Sequence, residues 1–288
     1  MEVLVLGGDS RYLEIIENLS SKHNVSVVGY KNTFINNSVR NLDINDVEIG
    51  KYDIILFPIN GVMDKNLISC RFNNNPVKLP LDLLVNSKKD VKIFSGVSTP
   101  NLNSMLEIAN RKCVFLMDDK SVIKENVIPT VEGIIADVVV NTEKTISNSN
   151  VLVFGYGNVG KILVDYLLLL GANVSVSVIL EEDKKLLESK NINSFYSYDR
   201  EKLLKEIGFN DVIINTVPKN IIDVHDIRYI NRDSYVLDIS SHPHGIDREV
   251  LDEYFIKNKL YLGIPGKVAP KTAGLILTKK INEIMKGK

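Results

Sequence analysis

The stretch from Val151 to Gly160 constrains the fold more than any other part of the chain. It reads VLVFGYGNVG, an apolar run ending in a G-x-G-x-x-G turn, and residues 161–170 continue with helical spacing. In such a strand–turn–helix unit, Gly155 permits the tight turn, Gly157 lets the backbone approach a pyrophosphate, and Gly160 allows close helix–strand packing. The pattern therefore predicts a dinucleotide-binding domain.

A second apolar run, over residues 173–180, completes this unit, and the helix N-terminus offers free N–H groups to phosphates. The alternative is a glycine turn in an α/β domain that binds no nucleotide. We predict that the cofactor, NADP or NAD, contacts the residues of this turn, which are Gly155, Tyr156, Gly157, Asn158, Val159 and Gly160.

Length and composition bound the class of protein. A chain of 288 residues is long enough for two domains, and 44% hydrophobic with 25% charged residues is an ordinary globular balance. The net charge of −1 argues against nucleic acid or an anionic membrane as partner. The sequence shows no membrane-spanning apolar run, and residues 1–8 lead straight into a strand rather than a signal peptide, so we expect a cytoplasmic protein.

The cysteines and histidines show no metal-binding spacing. Cys70 and Cys113 lie far apart, and the four histidines form no H-x-x-x-H pattern. We therefore expect two reduced thiols and no metal ion.

The order of predicted elements indicates an α/β fold with two doubly wound parallel-sheet domains, the second a Rossmann dinucleotide-binding domain. Residues 1–125 are expected to form a flavodoxin- or Rossmann-like substrate domain. Residues 126–147 are expected to form an interdomain helix, and residues 148–288 the NAD(P)-binding domain, closed by a helix over 271–285. Two such domains would face each other across a cleft, where substrate meets cofactor.

Polar residues follow two strands of the cofactor domain. Asn215, Thr216, Val217 and Pro218 end a strand at the edge where ligands of parallel sheets bind, so we predict cofactor contacts there; the alternative is an ordinary strand-ending turn. Glu181 lies about 20 residues beyond the glycine turn, where an acid binds ribose hydroxyls and favours NAD. Glu181, Glu182 and Asp183 could equally be first-turn helix acids.

Candidate substrate groups lie in the first domain and beyond it. Arg11 follows a glycine turn and could hold a carboxylate in a bidentate manner or form a surface ion pair. Ser95 and Ser98 follow another strand and could bind a carboxylate or cap a helix. Glu132 could act as a general base or be a helix first-turn acid.

Two loops near the C-terminus carry further candidates. His242 and His244 could each titrate near neutrality, although loop histidines are commonly only exposed. Residues 263–274, GIPGKVAPKTAG, predict a rigid loop before a helix, where Lys271 or Thr272 could bind an anion.

Together these motifs resemble the family of dipicolinate synthase A subunits of spore-forming bacteria. The matching stretches run in order through nearly the whole chain, and the combination of GGDSR, IPTVEG and PGKVAPKTAG is far more specific than the glycine turn. They are GGDSRYLEII (7–16), IFSGVS (93–98), IPTVEG (128–133), VLVFGYGNVG (151–160), DVIINTVP (211–218), LDISSHPHG (237–245) and GIPGKVAPKTAG (263–274).

The resemblance implies NAD(P)-dependent oxidation of a dihydrodipicolinate-type intermediate, or its hydrated precursor, to dipicolinate. This reaction branches from the lysine pathway in the mother cell of a sporulating bacterium, where the flavoprotein B subunit of dipicolinate synthase is the implied partner. The resemblance assigns catalysis to Glu132, Thr130 and Lys271, with Glu132 removing the proton and Asn215 helping to position. Carboxylate binding is assigned to Arg11, Ser95, Ser98, Lys267 and Lys271. Homo-oligomerisation stays open.

The chain departs from the family pattern twice. Ser177 and Val178 stand where an Ala-Arg pair suits a 2′-phosphate, which leaves NAD against NADP open. His242 stands where the family has an arginine, and the resemblance implies that it replaces this arginine in binding the substrate. Two other functions compete with the resemblance. One is an NAD-dependent dehydrogenase of 2-hydroxy or amino acids, although no His–Glu pair can be assigned. The other is a dinucleotide-binding scaffold protein whose partner carries the chemistry.

Overall fold

Two six-stranded parallel sheets with the same strand order frame the structure, a computed structural model that describes residues 1–31 and 34–287. The chain divides into two units. Unit 1 comprises Met1–Asn126 and Pro265–Lys288, and unit 2 comprises Val127–Ile264. The predicted α/β class with two doubly wound parallel sheets is confirmed.

Unit 1 contains one of these sheets and a separate short ribbon. Its elements up to residue 126 are β1 (Glu2–Leu6), α1 (Arg11–Ser20), β2 (Asn24–Val28), β3 (Arg40–Leu42), β4 (Ile54–Leu56), β5 (Leu67–Ile68), β6 (Val77–Lys78), β7 (Lys92–Ser95), α2 (Pro100–Ala109), β8 (Cys113–Phe115) and α3 (Lys120–Glu125). The sheet has the order β3-β2-β1-β4-β7-β8, with every neighbouring pair parallel. The ribbon joins β5 to β6 in antiparallel fashion.

The central strand β1 shows why the sheet of unit 1 is parallel and covered. Val3 and Val5 join the core on one face, whereas Leu4 and Leu6 join the core on the other, and all four are fully buried. Successive side chains of a strand point to opposite faces, so an uninterrupted apolar run requires helices or loops on both sides.

Unit 2 repeats the strand order of the first sheet. Its elements are α4 (Val127–Asn141), β9 (Asn150–Phe154), α5 (Asn158–Leu169), β10 (Asn173–Val178), α6 (Glu181–Ser189), β11 (Asn193–Tyr196), α7 (Arg200–Phe209), β12 (Val212–Asn215), β13 (Tyr235–Asp238), α8 (Arg248–Glu253) and β14 (Asn258–Leu260). The sheet has the order β11-β10-β9-β12-β13-β14. Helix α4 packs against α5 beside this sheet, and their apolar side chains share one core.

The C-terminal helix belongs to a different unit than expected. Residues 148–288 were predicted to form one domain, but α10 (Pro270–Met285) packs against α1 in unit 1, where Ile276, Leu277 and Ile281 complete the core. The two helices approach closely at Gly274, because a Cβ atom there would lie 2.6 Å from the carbonyl oxygen of Arg11. The apolar stripe of α10 correctly predicted that this face is buried, but such a stripe does not indicate which element covers it.

Three local elements were not predicted. Two of them are strand β3 and strand β6, which lies in the polar segment 71–80. The expected rigid loop over 263–274 contains a short helix, α9 (Ile264–Val268), followed at once by α10. Helix α4 runs over Val127–Asn141, within the expected 126–147, and Pro129 lies in its first turn, where its missing N–H costs no helical hydrogen bond. In the described part of the chain, no helix is both long and apolar enough to cross a membrane.

Candidate dinucleotide site of unit 2

The three glycines after β9 differ in what surrounds them. Gly155 has a left-handed φ of +93°, which suits glycine, and it donates a backbone hydrogen bond to Ser177 (3.0 Å). A Cβ atom on Gly160 would lie only 2.2 Å from the carbonyl oxygen of Gly155, so the first turn of α5 touches the turn itself. A Cβ atom on Gly157 would meet nothing within 4 Å.

Packing within the protein therefore accounts for Gly155 and Gly160, but not for Gly157. The open space beside Gly157 lies where α5 begins and presents its unpaired N–H groups. This arrangement fits the pyrophosphate of a dinucleotide, which needs a close backbone approach at this position.

A cavity of about 680 Å3 opens at this turn, along the carboxyl ends of β9, β10 and β12. Six predicted cofactor residues line it, namely Gly155, Tyr156, Gly157, Thr216, Val217 and Pro218. Asn158, Val159 and Gly160 form the first turn of α5 beside it and do not belong to its lining. Burial raises the pKa of Tyr156, which keeps its phenol protonated.

The end of the cavity beyond β10 includes apolar and aromatic surface beside its polar groups. Ile179 and Tyr198 are exposed over 61% and 72% of their surface. Both side chains are therefore accessible to a flat apolar ligand. Tyr198 stacks on Tyr196 with the ring centroids 4.9 Å apart. In folds of this kind the adenosine lies at the carboxyl end of the second strand, so this surface suits an adenine ring.

The acid that lines the cavity is Asp183, not Glu181. Both lie in the first turn of α6, but Glu181 points away and pairs with Lys185 at 2.7 Å. Asp183 lines the cavity and pairs with Lys161 Nζ at 3.2 Å. Two residues along a helix are about 200° apart around its axis, so only one of these two can face the ligand.

Asn215 has a different role from the one predicted. It is fully buried and outside the cavity lining, and its Nδ2 donates to Asp238 Oδ1 at 2.9 Å. The buried Asp238 carboxylate also accepts hydrogen bonds from the Ser240 backbone and hydroxyl (2.8 and 2.7 Å) and from the Gly245 backbone (2.9 Å). Asn215 and Asp238 therefore fix the loops after β12 and β13. Sequence reasoning missed Asp238, although a polar residue ending a buried strand was a usable signal.

Other candidate groups

The glycine turn of unit 1 is covered by the chain itself. Gly8 donates to the carbonyl of Ser69 (2.8 Å) and accepts from the backbone N–H of Arg71 (3.0 Å), so residues 69–71 run along the turn. Tyr30 donates its hydroxyl to the carbonyl of Gly7 at 2.7 Å. The Gly8 N–H, a donor that a phosphate at this turn would need, is therefore already used.

The Arg11 side chain is almost buried and forms an ion pair. Its side chain is 9% exposed, and its Nε and Nη2 atoms bind the carboxylate of Asp9 in a fork, with Nη2 at 2.5 Å from Oδ2. The guanidinium lies against α9, because a Cβ atom on Gly266 would stand 2.7 Å from Arg11 Nε. This holds the guanidinium in one orientation, as recognition of a planar carboxylate requires.

The two serines after β7 differ. Ser95 is fully buried and donates to the carbonyl oxygens of Pro58 and Val97, so it is a structural residue and not a substrate ligand. Ser98 is exposed and exchanges hydrogen bonds with the Asn103 side chain. The cap of α2 is Thr99, whose hydroxyl accepts from the Leu102 backbone. Ser98 thus stays available as a substrate ligand.

The remaining predicted residues lie on several elements. In unit 2, Glu132 is exposed on α4 beside an apolar concavity lined by Ile135 and Tyr166, and it does not line the dinucleotide cavity; Thr130 is half-buried on the same helix. In unit 1, Lys267 is exposed on α9, and Lys271 lies in the first turn of α10.

Both loop histidines follow β13. His242 is exposed, with its ring edge-on to that of His244 at 5.7 Å. His244 has a left-handed φ of +72°, and its Nδ1 lies 2.9 Å from the carbonyl of Ser240. Because that oxygen can only accept, Nδ1 carries the proton and Nε2 is left as the acceptor in the neutral ring.

The described residues show no metal-binding group. Across residues 1–31 and 34–287, no three His, Cys, Asp or Glu side chains converge as ligands of one ion. Both cysteines are free, and burial raises the pKa of Cys113 to about 12, which leaves this thiol protonated and unreactive at neutral pH.

Comparison with known proteins places the chain in a family. Residues 2–117 match the sequence model of the N-terminal domain of the dipicolinate synthase A subunit. The chain is 31% identical over 288 residues to the dipicolinate synthase A subunit of Bacillus subtilis (strain 168), covering 99% of this chain and 96% of that protein. The crystal structure of the dipicolinate synthase A subunit from Bacillus halodurans superposes with a TM-score of 0.92 at 31% identity, covering 99% of this chain and 97% of that one.

More distant structures share the fold alone. An L-alanine dehydrogenase superposes with a TM-score of 0.64 at 13% identity, over 99% of this chain and 90% of the other. The match to the Bacillus proteins extends over nearly the whole chain in sequence as well as in fold. The chain belongs to the family of dipicolinate synthase A subunits.

Proposed function

We propose that this protein oxidises dihydrodipicolinate, or its hydrated precursor, to dipicolinate with NAD or NADP. The observation that carries the proposal is the dinucleotide cavity beside Gly157, in a chain that matches the dipicolinate synthase A subunit over nearly its whole length. The dehydrogenase-like fold is in keeping with hydride chemistry.

The reaction removes one hydride and one proton from the dihydropyridine ring, which becomes aromatic; the hydrated precursor must in addition lose one water. The nicotinamide of the bound cofactor supplies the hydride acceptor. Because aromatisation favours the product, the residues of the chain mainly have to orient a dianion and accept one proton.

We assign the two substrate carboxylates to cationic and hydroxyl groups. Arg11 is held in one orientation by Asp9 and by its contact with α9. Lys267 and Lys271 follow on α9 and α10, and Ser98 and His242 are exposed polar groups on other loops. Glu132 is our candidate for proton removal, with Thr130 shortly before it on α4.

A family of synthase subunits fits the presence of a partner protein. We propose that the partner is the flavoprotein B subunit of dipicolinate synthase, and that the two act in the mother cell during sporulation. In this assembly the nicotinamide reaction belongs to the chain described here.

The first test is a turnover assay on freshly generated dihydrodipicolinate precursor, with NAD or NADP and with or without the candidate flavoprotein. We expect dipicolinate and reduced nicotinamide to form in equal amounts. Dipicolinate without nicotinamide reduction would move the oxidation to the flavin of the partner. No dipicolinate in any combination would overturn the proposal and favour oxidation of a hydroxy or amino acid.

A second test separates an enzyme from a scaffold. Glu132→Gln should lower turnover by at least ~100-fold, as expected for loss of a general base, with unchanged dinucleotide affinity. Glu143→Gln, an exposed acid just beyond the same helix, is the matched control. Equal turnover of both variants in the presence of the partner would contradict a role of Glu132 in proton removal.

A further inference from the structure

We propose that this chain selects NAD over NADP and that Asp183 is the residue that makes the distinction. The inference rests on the proposed dinucleotide site and goes beyond it, since that proposal leaves the two cofactors open. NADP differs from NAD only by a phosphate on the 2′-hydroxyl of the adenosine ribose, so the two can be told apart only in the part of the cavity where that ribose lies.

The fold fixes the position of this ribose. With the pyrophosphate at Gly157 and the N-terminus of α5, the adenosine extends over the carboxyl end of β10. The cavity is lined there by residues 177–180, by Tyr198 and by the Asp183 carboxylate. Asp183 comes from the first turn of α6, and its partner Lys161 comes from the first turn of α5, so the ion pair joins the two helices beside the ribose position.

The charges at this end favour a ribose with two free hydroxyls. Among the described residues that line the cavity Asp183 is the one acid, and a carboxylate accepts hydrogen bonds from both hydroxyls of a ribose. A 2′-phosphate brings a charge of about −1.5 to −2 and would face this carboxylate at short range. The Lys161 ammonium group, 3.2 Å from Asp183, partly offsets this repulsion, but a single point charge that already pairs with a carboxylate is not a strong phosphate site. The other lysine of the lining, Lys219, follows β12, and β9 lies between that strand and β10.

Among the described residues, the ribose end also lacks a guanidinium group, the side chain best suited to a 2′-phosphate. Ile179, exposed and apolar, directly follows β10, and no arginine occurs among the described residues of the lining. The hydroxyl of Ser177 is committed to Ser197 (2.8 Å), and that of Ser197 also donates to the Val178 carbonyl. A 2′-phosphate would therefore find neither a guanidinium fork nor an uncommitted serine hydroxyl among these groups.

The test is direct titration of the full-length protein with NAD and NADP by isothermal calorimetry, together with thermal melts. We expect NAD to bind at least ~10-fold more tightly than NADP, a difference of about 1.4 kcal/mol. In Asp183→Asn the preference should shrink or reverse, because the variant removes the repulsion and also releases Lys161 to pair with the phosphate. The matched control is Glu181→Gln, which changes the charge equally in the same helical turn but outside the cavity.

The outcomes separate the inference from the function on which it rests. Equal or tighter binding of NADP by the unaltered protein would overturn the NAD preference. A change in the ratio that is the same in Asp183→Asn and Glu181→Gln would overturn the role of Asp183. Absence of binding by both dinucleotides would instead remove the proposed cofactor site. The ratio in the unaltered protein decides the preference even if the Asp183 variant does not fold.

Discussion

The two units have sheets of identical strand order, but the glycine turn after the first strand is open in unit 2 and covered in unit 1. In unit 2 the turn after β9 borders an open cavity, and Gly157 faces empty space. In unit 1 the turn after β1 is covered by residues 69–71, which take both backbone groups of Gly8. The same topology thus provides an accessible turn beside a cavity in unit 2 and a turn covered by the chain itself in unit 1.

The difference arises from the connection after β4. In unit 1 this connection carries the ribbon of β5 and β6, and the residues between these two strands pair with the glycine turn. In unit 2 the equivalent connection after β12 is held by side chains instead, through Asn215 and Asp238. Strand order alone therefore does not make a nucleotide site, because the neighbouring loop decides whether the turn stays accessible.

The largest expected effects come from replacing a tightly packed glycine of either turn by alanine. Gly8→Ala would force a left-handed φ of +123° and place Cβ 2.4 Å from the Tyr12 ring, and Gly160→Ala would collide with Gly155. We expect each to lower the free energy of unfolding by about 2–4 kcal/mol. Chemical denaturation measures this, and calorimetric titration should show weaker dinucleotide binding for Gly160→Ala only. Impaired binding in Gly8→Ala would mean that the two turns are not independent.

Gly157→Ala tests the open turn without disturbing packing. Because its Cβ atom has no protein neighbour within 4 Å, the melting temperature should stay within about 1 °C, whereas the methyl group occupies the space of the pyrophosphate. Dinucleotide Kd should rise at least ~10-fold, equivalent to about 1.4 kcal/mol. Unchanged affinity would place the phosphates elsewhere.

The side-chain network of unit 2 is expected to have an intermediate effect. Asp238→Asn would turn an amide N–H2 toward backbone and hydroxyl donors, so at least one buried group would lose its partner. We expect a loss of about 1–3 kcal/mol in the free energy of unfolding. Asp233→Asn, an exposed position shortly before β13, should change it little. Similar values for both would show that the loops are fixed by other contacts.

The smallest expected effect concerns an ion pair in unit 1. The hydrogen bond from Lys280 lowers the pKa of Asp119, so this contribution to stability is present above the unfolded-state pKa of about 3.9 and is lost as pH falls through the lower folded-state value. Asp119→Asn should lower the melting temperature by no more than about 2 °C, equally at pH 7 and pH 5. A deficit that already shrinks between pH 7 and pH 5 would contradict this assignment.

The sequence predicted well what depends on neighbouring residues. The run from Val151 to Leu169 has both the apolar pattern and the turn residues of its structure, so its strand, turn and helix were confirmed. Strand β3 lacked such a pattern, because only Leu42 in Arg40–Leu42 is apolar. The choice between Glu181 and Asp183 depended on the rotation of α6 against the sheet, which consecutive acids do not reveal.

Long-range partners were the other source of error. Ser95 follows a strand as a ligand residue would, but its hydroxyl is used by the backbone of a neighbouring loop. Likewise, the apolar stripe of α10 fits either sheet, and only the close approach at Gly274 shows that it lies on α1. Such contacts join residues far apart in sequence, so no local pattern encodes them.

The position of α10 has a consequence for synthesis. Because unit 1 is completed by residues 265–288, the ribosome finishes unit 2 before the first unit can close its core. Until α10 emerges, the apolar face of α1 has no covering helix, and Glu125 and Lys92 have no partners from that helix. We therefore expect the N-terminal segment of a nascent chain, although it is synthesised first, to need chaperones for the longest time. A destabilising substitution in the last helix would accordingly destabilise the core of unit 1.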